Sequence, residues 1–176
     1  MLQERLNAVI RDIPDFPKPG IVFKDITPIL KDAGLCTAIV ESFAEQVKDL
    51  KIDVIAGIES RGFLFGMMLA NKLNIPFVPI RKQGKLPAKT ISESYKLEYG
   101  QATIEIHDDA FEEGTNVLIH DDLLATGGTV VAAAKLIEKL GGNVSGFSFV
   151  INLEFLNGEG RLHRFSDNVI SLINYK

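Results

Sequence analysis

The stretch Asn116-Val-Leu-Ile-His-Asp-Asp-Leu-Leu-Ala-Thr-Gly-Gly-Thr129 constrains this chain more than any other. It opens as an apolar run, passes two adjacent carboxylates, Asp121 and Asp122, and closes in a glycine-rich turn. Val130, Ala133, Leu136, Ile137 and Leu140 then recur at helical spacing, with Gly141 and Gly142 just past the end. A buried strand feeding a glycine turn and a helix start is a site for a phosphate. The first amides of a helix have no internal partners, and the helix dipole favours negative charge there. Gly127 and Gly128 allow close backbone approach beside Ala125, while Thr126 and Thr129 add hydroxyl donors. Two carboxylates beside a phosphate make sense only if the same ligand also presents hydroxyl groups, so one loop is expected to hold both phosphate and sugar.

Short apolar runs alternate with helical patterns along the rest of the chain. Strands are expected at Ile52–Ile58, Ile75–Arg81, Val117–His120, Val144–Asn152 and Val169–Ile173, with alternating segments around Tyr95–His107. Helices are expected at the N-terminus, over Leu35–Leu50, over Phe63–Leu73 and after Gly128. This order predicts an α/β fold: one domain over 1–176, with a central, mostly parallel sheet flanked by helices and a small N-terminal hood at about 13–31. Ligands of such sheets sit beyond the carboxyl ends of the strands. Three candidate segments fall at such ends: Gly57–Gly62, Arg81–Thr90 and Asp121–Thr129.

Gly57-Ile-Glu-Ser-Arg-Gly62 is a second strand-to-helix turn with free amides. Phe63 and Leu64 stand where a nucleotide-triphosphate loop needs Lys and Ser or Thr, so that reading fails. Arg81-Lys-Gln-Gly-Lys-Leu-Pro-Ala-Lys89 gathers four cations and a glycine hinge in one polar loop, expected to be a mobile catalytic segment over about 81–100. The hood segment Phe16–Pro28 looks too irregular for a sheet strand and too apolar for a tail, and it offers the ring of Phe23 to something flat.

The 116–129 segment is similar to the signature of the type I phosphoribosyltransferases, and the other motifs resemble the adenine phosphoribosyltransferases among them. The resemblance implies that Asp121 and Asp122 hold the ribose hydroxyls of phosphoribosyl pyrophosphate, and that Ala125, Thr126, Gly127, Gly128 and Thr129 hold its 5′-phosphate. It implies pyrophosphate binding by Glu59, Ser60, Arg61, Lys82, Lys85 and Tyr99, with a cis peptide between Glu59 and Ser60. It lays Phe23 on the purine and lets main-chain groups at Val22 and Lys24 read the purine edge. It gives Glu98 contact with the imidazole edge and a part in proton transfer, which with Arg61 and Lys85 completes the expected catalytic set. It also implies magnesium held mainly by the donor's pyrophosphate and ribose hydroxyls, no dedicated protein metal site, and a homodimer.

Composition narrows the alternatives. A net charge of −4 argues against nucleic acid or an anionic membrane as partner, though not against an anionic substrate met by a local cluster of cations. Cys36 is the lone cysteine, so no intrachain disulfide is expected, and no Cys/His spacing resembles a zinc site. Met1-Leu-Gln-Glu-Arg5 opens an amphipathic pattern rather than a signal peptide, and no apolar run is long enough for a membrane span, which together predict a cytoplasmic protein. His120, next to the acid pair, is expected to pack or support rather than react. A transferase for another base, a non-catalytic regulator of the same fold and an unrelated α/β binding protein, which leaves three motif matches unexplained, are the competing readings. The hood and Leu97-Glu-Tyr-Gly100 speak against the first, and the short acidic chain against the second.

Overall fold

A computed structural model describes residues 1–16, 18–97 and 100–176. Seven strands form one sheet: β3 (Val54–Ile58), β4 (Phe77–Lys82), β5 (Thr90–Lys96), β6 (Gln101–His107), β7 (Asn116–Leu124), β8 (Asn143–Leu153) and β9 (Val169–Tyr175), in the order β5-β6-β4-β3-β7-β8-β9. From β4 to β9 all neighbours are parallel, whereas β6 joins β4, and β5 joins β6, antiparallel. The central strands are buried on both faces, which is why β3 reads as the unbroken run Val-Ile-Ala-Gly-Ile.

Helices α1 (Leu2–Val9), α2 (Ala33–Val47) and α3 (Gly62–Leu73) are joined by α4 (Gly128–Lys139). The Asp32 carboxylate caps α2 by accepting from the Leu35 amide at 2.9 Å. Ile39, Val40, Phe43 and Val47 then bury one stripe of α2 against the sheet in the same layer as α3. On the opposite face, Val130, Ala133, Leu136 and Ile137 of α4 pack over Ala56, Ile119 and Phe149. Burying a side chain of that size contributes roughly 2 kcal/mol, so the two stripes fix which face each helix covers. The strand order reverses between β3 and β7, from which β4 lies to one side and β8 to the other. Ligand sites of open α/β sheets occur at this switch point.

Two expectations need correction. The hood is not too irregular for strands: β1 (Arg11–Pro14) and β2 (Val22–Asp25) pair as an antiparallel ribbon, and a 3-10 turn follows over Thr27–Lys31. The prolines concealed it, yet Pro14 ends an edge strand where no amide donor is required. Its turn is closed by the Gly20 amide donating to the Asp15 carboxylate at 2.7 Å. The strand expected over Val117–His120 was also to end before Asp121 and Asp122. Instead β7 runs through both to Leu124.

Candidate active site

The carboxyl ends of β3, β4 and β7 open onto a cleft of about 360 Å³. Its floor is apolar, from Ile58, Ile80 and Ile104. Its walls are polar, from Glu59, Ser60, Arg61, Lys82, Tyr95, Asp121, Asp122 and Thr129. Three segments far apart in sequence therefore converge, as the alternation of elements predicted.

The β3–α3 turn supplies the cationic wall. The Glu59–Ser60 peptide is cis. Gly62 is required by proximity, since a Cβ there would lie 2.9 Å from the His120 carbonyl oxygen and 3.0 Å from Asp121 Oδ1. That contact sets the turn directly against the acidic end of β7. Arg61 Nε lies 2.7 Å from Asp122 Oδ2, an ion contact out of line for a hydrogen bond, since that oxygen has no hydrogen-bond partner among the described residues. The same guanidinium stands 4.9 Å from the centre of the Phe23 ring, so Arg61 bridges the hood and the acid pair. Glu59 accepts from Arg81 Nε and Nη2 at 3.1 and 3.2 Å and from the Lys82 amide at 2.9 Å. Burial pushes its carboxyl upward, but Arg81 and the Lys82 amide outweigh that and hold it below the usual range. Its charge is thus committed to Arg81.

The β7–α4 turn supplies the acidic wall and the amides. Asp121 and Asp122 both line the cleft although they are consecutive in a strand. The β3 ladder ends at the Gly57–His120 pair, whereas β8 accompanies β7 as far as Leu124. Beyond His120, therefore, the side vacated by β3 is open and accessible to both faces of β7. The Asp122 amide donates to Asp121 Oδ1 at 2.8 Å. Burial, together with the neighbouring Asp122 charge, pushes the Asp121 carboxyl well above the usual carboxylate range. Gly127 has φ +78°, and a Cβ there would lie 2.9 Å from the Gly158 carbonyl oxygen. No side chain caps α4, which leaves its first amides for a ligand. Arg161 Nη1 donates to the Thr126 carbonyl at 2.9 Å and braces the turn from behind.

His120 lies between the two turns. It is fully buried, with Nδ1 2.9 Å from Ser148 Oγ and its ring edge-on to Phe43. Burial depresses its pKa to about 3, so it is neutral.

In the hood, Phe23 is half-buried and packs edge-to-face on Phe16 at 5.2 Å, while Val22 is exposed. The Lys24 ammonium sits 2.6 Å from Asp12 Oδ1 and over the Tyr175 ring. Neither partner lines the cleft, so the main chain at residue 24 is the part left for a ligand. Lys82 lines the cleft, whereas Lys85 is exposed in the turn after β4 and does not. Glu98 and Tyr99 lie outside the described residues. Sequence reasoning gave no separate role to Tyr95, Arg81 or Arg161, although Arg81 and Tyr95 fall inside the expected catalytic segment of 81–100. The alternation of β5 adds a signal for Tyr95, since it puts Ile91, Glu93 and Tyr95 on the less exposed face.

A glycine-turn phosphate cradle, an acid pair beside it and a facing arginine turn define a site for a phosphorylated sugar. The phosphoribosyl transferase domain matches residues 27–159, and the chain belongs to that family, on the branch of the adenine phosphoribosyltransferases. The adenine phosphoribosyltransferase of Cytophaga hutchinsonii is 53% identical over 99% of this chain and 97% of its own length. The crystal structure of the Thermoanaerobacter pseudethanolicus enzyme superposes with a TM-score of 0.95 at 52% identity, covering 99% of this chain and all of that one. The Saccharomyces cerevisiae enzyme, complexed with D-2,5-dideoxy-2,5-imino-altritol 1,6-bisphosphate and adenine, gives a TM-score of 0.91 at 40% identity, covering 98% of each chain.

Proposed function

We propose that this cleft transfers the 5-phosphoribosyl group of phosphoribosyl pyrophosphate to N9 of adenine, giving AMP and pyrophosphate. The observation that carries the reading is the direct contact of two unlike turns. Arg61, on one, touches Asp122, on the other, and both line a cleft sized for a small phosphorylated ligand. The yeast enzyme's complex with adenine and an imino-sugar bisphosphate supports the same pairing of base and phosphorylated sugar here.

The division of labour follows the chemistry of each wall. The amides of Ala125–Thr129 take the 5′-phosphate, with Thr126 and Thr129 hydroxyls adding donors. Asp121 and Asp122 accept the ribose hydroxyls, and their charge favours a sugar carbon that becomes cationic as the C1′–oxygen bond to pyrophosphate breaks. Arg61 and Lys82, with Ser60 and the main chain at Glu59, receive the pyrophosphate, and Lys85 joins them if its turn folds inward. Arg61 must first leave Asp122 and Phe23, which frees the acid for ribose and the ring for adenine. Val22 and Lys24 main-chain groups read the purine edge. Glu98 handles the purine proton and Tyr99 contacts the phosphates, roles supported by the resemblance. Fixing donor and base together makes attack by N9 effectively intramolecular.

The cleft suits a magnesium ion that arrives with the donor. Among the described residues no group of three or more His, Cys, Asp or Glu could hold a metal, and the nearest acids, Asp121 and Asp122, face the ribose. Donor pyrophosphate and ribose oxygens with water would hold the ion, which would neutralise the charge of the leaving group. No helix among the described residues is long and apolar enough to cross a membrane, in keeping with the proposed cytoplasmic location. The proposed homodimer has an exposed apolar face available on α3, at Leu64, Met67 and Met68, and light scattering tests it.

The decisive assay supplies magnesium, the donor and each base in turn, and follows nucleotide formation. AMP from adenine is expected. Turnover with hypoxanthine but not adenine would overturn the base assignment, and none with any base would overturn the enzyme in favour of a regulator.

A further inference from the structure

Strand β5 alternates, and Ile91, Glu93 and Tyr95 form its inward row. That row lies along α4, whose Gly128, Val131, Lys135 and Lys139 fall three or four residues apart on one stripe. At the start of the stripe the Tyr95 ring packs against Gly128, 3.4 Å from where a Cβ there would stand. Further along, Glu93 binds two lysines, Lys139 Nζ at 2.6 Å and Lys135 Nζ at 3.1 Å, and Lys139 also donates to the Ser92 carbonyl at 3.1 Å. The Glu93 side chain is only 14% exposed, so the clamp is a shielded one rather than a loose surface pair.

Behind the ring lies a second cavity of about 280 Å³, lined by Ser94, Lys96, Lys135 and Arg161 among others. Tyr95 is the one lining residue, among those described, that this cavity shares with the cleft. The Tyr95 side chain therefore stands between the cleft and a second, cation-lined space of a size that can admit water.

We propose that Tyr95 is a wall of the ribose-phosphate subsite that keeps water from the reacting sugar carbon, and that Glu93 is the positioning residue that holds this wall against the start of α4. The proposal rests on the assignment of the phosphate to the 125–129 turn. Its chemical consequence concerns what attacks C1′. With the wall in place adenine N9 forms the new bond. Without it a water oxygen does so, the C1′–oxygen bond to pyrophosphate breaks, and the water's proton passes to solvent, leaving ribose 5-phosphate and pyrophosphate. The ring, not its hydroxyl, does this work, because no described partner binds the phenol oxygen.

The test compares Tyr95→Ala, Tyr95→Phe and Glu93→Gln with the unaltered chain. For each, the ratio of ribose 5-phosphate to AMP formed from donor with adenine and magnesium is measured, alongside the affinity for ribose 5-phosphate alone. Tyr95→Phe should keep the original ratio. Tyr95→Ala should raise the hydrolytic share about tenfold, and Glu93→Gln severalfold. Reversing the clamp, as Glu93→Lys with Lys135→Glu and Lys139→Glu, should restore what Glu93→Lys alone loses. An unchanged ratio in Tyr95→Ala, or equal loss in Tyr95→Ala and Tyr95→Phe, would overturn the proposal. If Tyr95→Ala does not fold, Glu93→Gln and the reversal decide the matter: no change, or no rescue, overturns it. Failure of the unaltered chain to bind ribose 5-phosphate would instead overturn the phosphate-turn assignment, and this proposal with it.

Discussion

The two strand–turn–helix junctions at the heart of the cleft use the same backbone plan and opposite chemistry. The β3–α3 junction presents a side-chain cation, Arg61, and keeps its one carboxylate, Glu59, occupied by Arg81 and the Lys82 amide. The β7–α4 junction presents two carboxylates and relies on main-chain amides after Gly127 for anion binding. A pyrophosphate needs mobile charge that arrives as the leaving group departs. A 5′-phosphate that stays on the sugar needs fixed donors, which amides on a rigid helix provide. The contrast therefore separates the leaving half of the donor from the retained half.

The largest effect should come from Gly127→Ala. The positive φ and the Gly158 carbonyl 2.9 Å from any Cβ leave no room, so the turn must distort. Ribose 5-phosphate affinity should fall by about a hundredfold, or roughly 3 kcal/mol, in a calorimetric titration, with pyrophosphate affinity much less affected. Arg61→Ala should do the reverse, costing about 2 kcal/mol of pyrophosphate binding and sparing ribose 5-phosphate. Equal losses of both ligands in either variant would erase the distinction between the junctions.

His120 tests the support the junctions share, since it underlies Asp121 and its ring would meet a Cβ on Gly66 of α3 at 3.4 Å. Folded, it titrates at about 3, against an ordinary 6.5. The unfolded chain then binds a proton that the folded chain refuses, so stability is lost as pH falls below 6.5 toward 3. Between pH 7 and pH 5 the loss should be about 2 kcal/mol by urea unfolding, and His120→Gln should remove that part of it. An unchanged acid dependence in the variant would show that another group carries it.

The smallest effect concerns Asp121. Its raised folded pKa means that the folded chain holds the proton longer, so stability falls as pH rises from the ordinary carboxylate range toward the raised value. Asp121→Asn should therefore stabilise the unliganded protein by about 1 kcal/mol at the alkaline end, with less gain in acid, while weakening donor binding. Thermal melts across pH measure the first and donor titration the second. Destabilisation at high pH would mean that the acid pair is not a strained binding site.

Both junctions were legible in the sequence because what defines them is local: glycines where the backbone crowds, an arginine or an acid pair at a fixed offset, and apolar runs on either side. The residues that escaped depend on distant neighbours. β7 runs on through both aspartates, yet both line the cleft because its pairing with β3 stops at Gly57, a fact of the ladder rather than of β7's own residues. The Glu59 carboxylate is held by Arg81, 22 residues away, a pairing that no local motif announces. Lys85 shares the composition of a catalytic loop but stands outside the cleft, while Tyr95 lines it only because α4 passes behind β5. The hood was recognised by its motif, and its ribbon was hidden by prolines that sit harmlessly at its ends.

The division of the donor between two junctions is tested most directly by titrating ribose 5-phosphate into the protein already saturated with pyrophosphate and magnesium. One equivalent should bind, with pyrophosphate retained. Displacement of pyrophosphate by ribose 5-phosphate would mean a single shared anion site and would contradict the account.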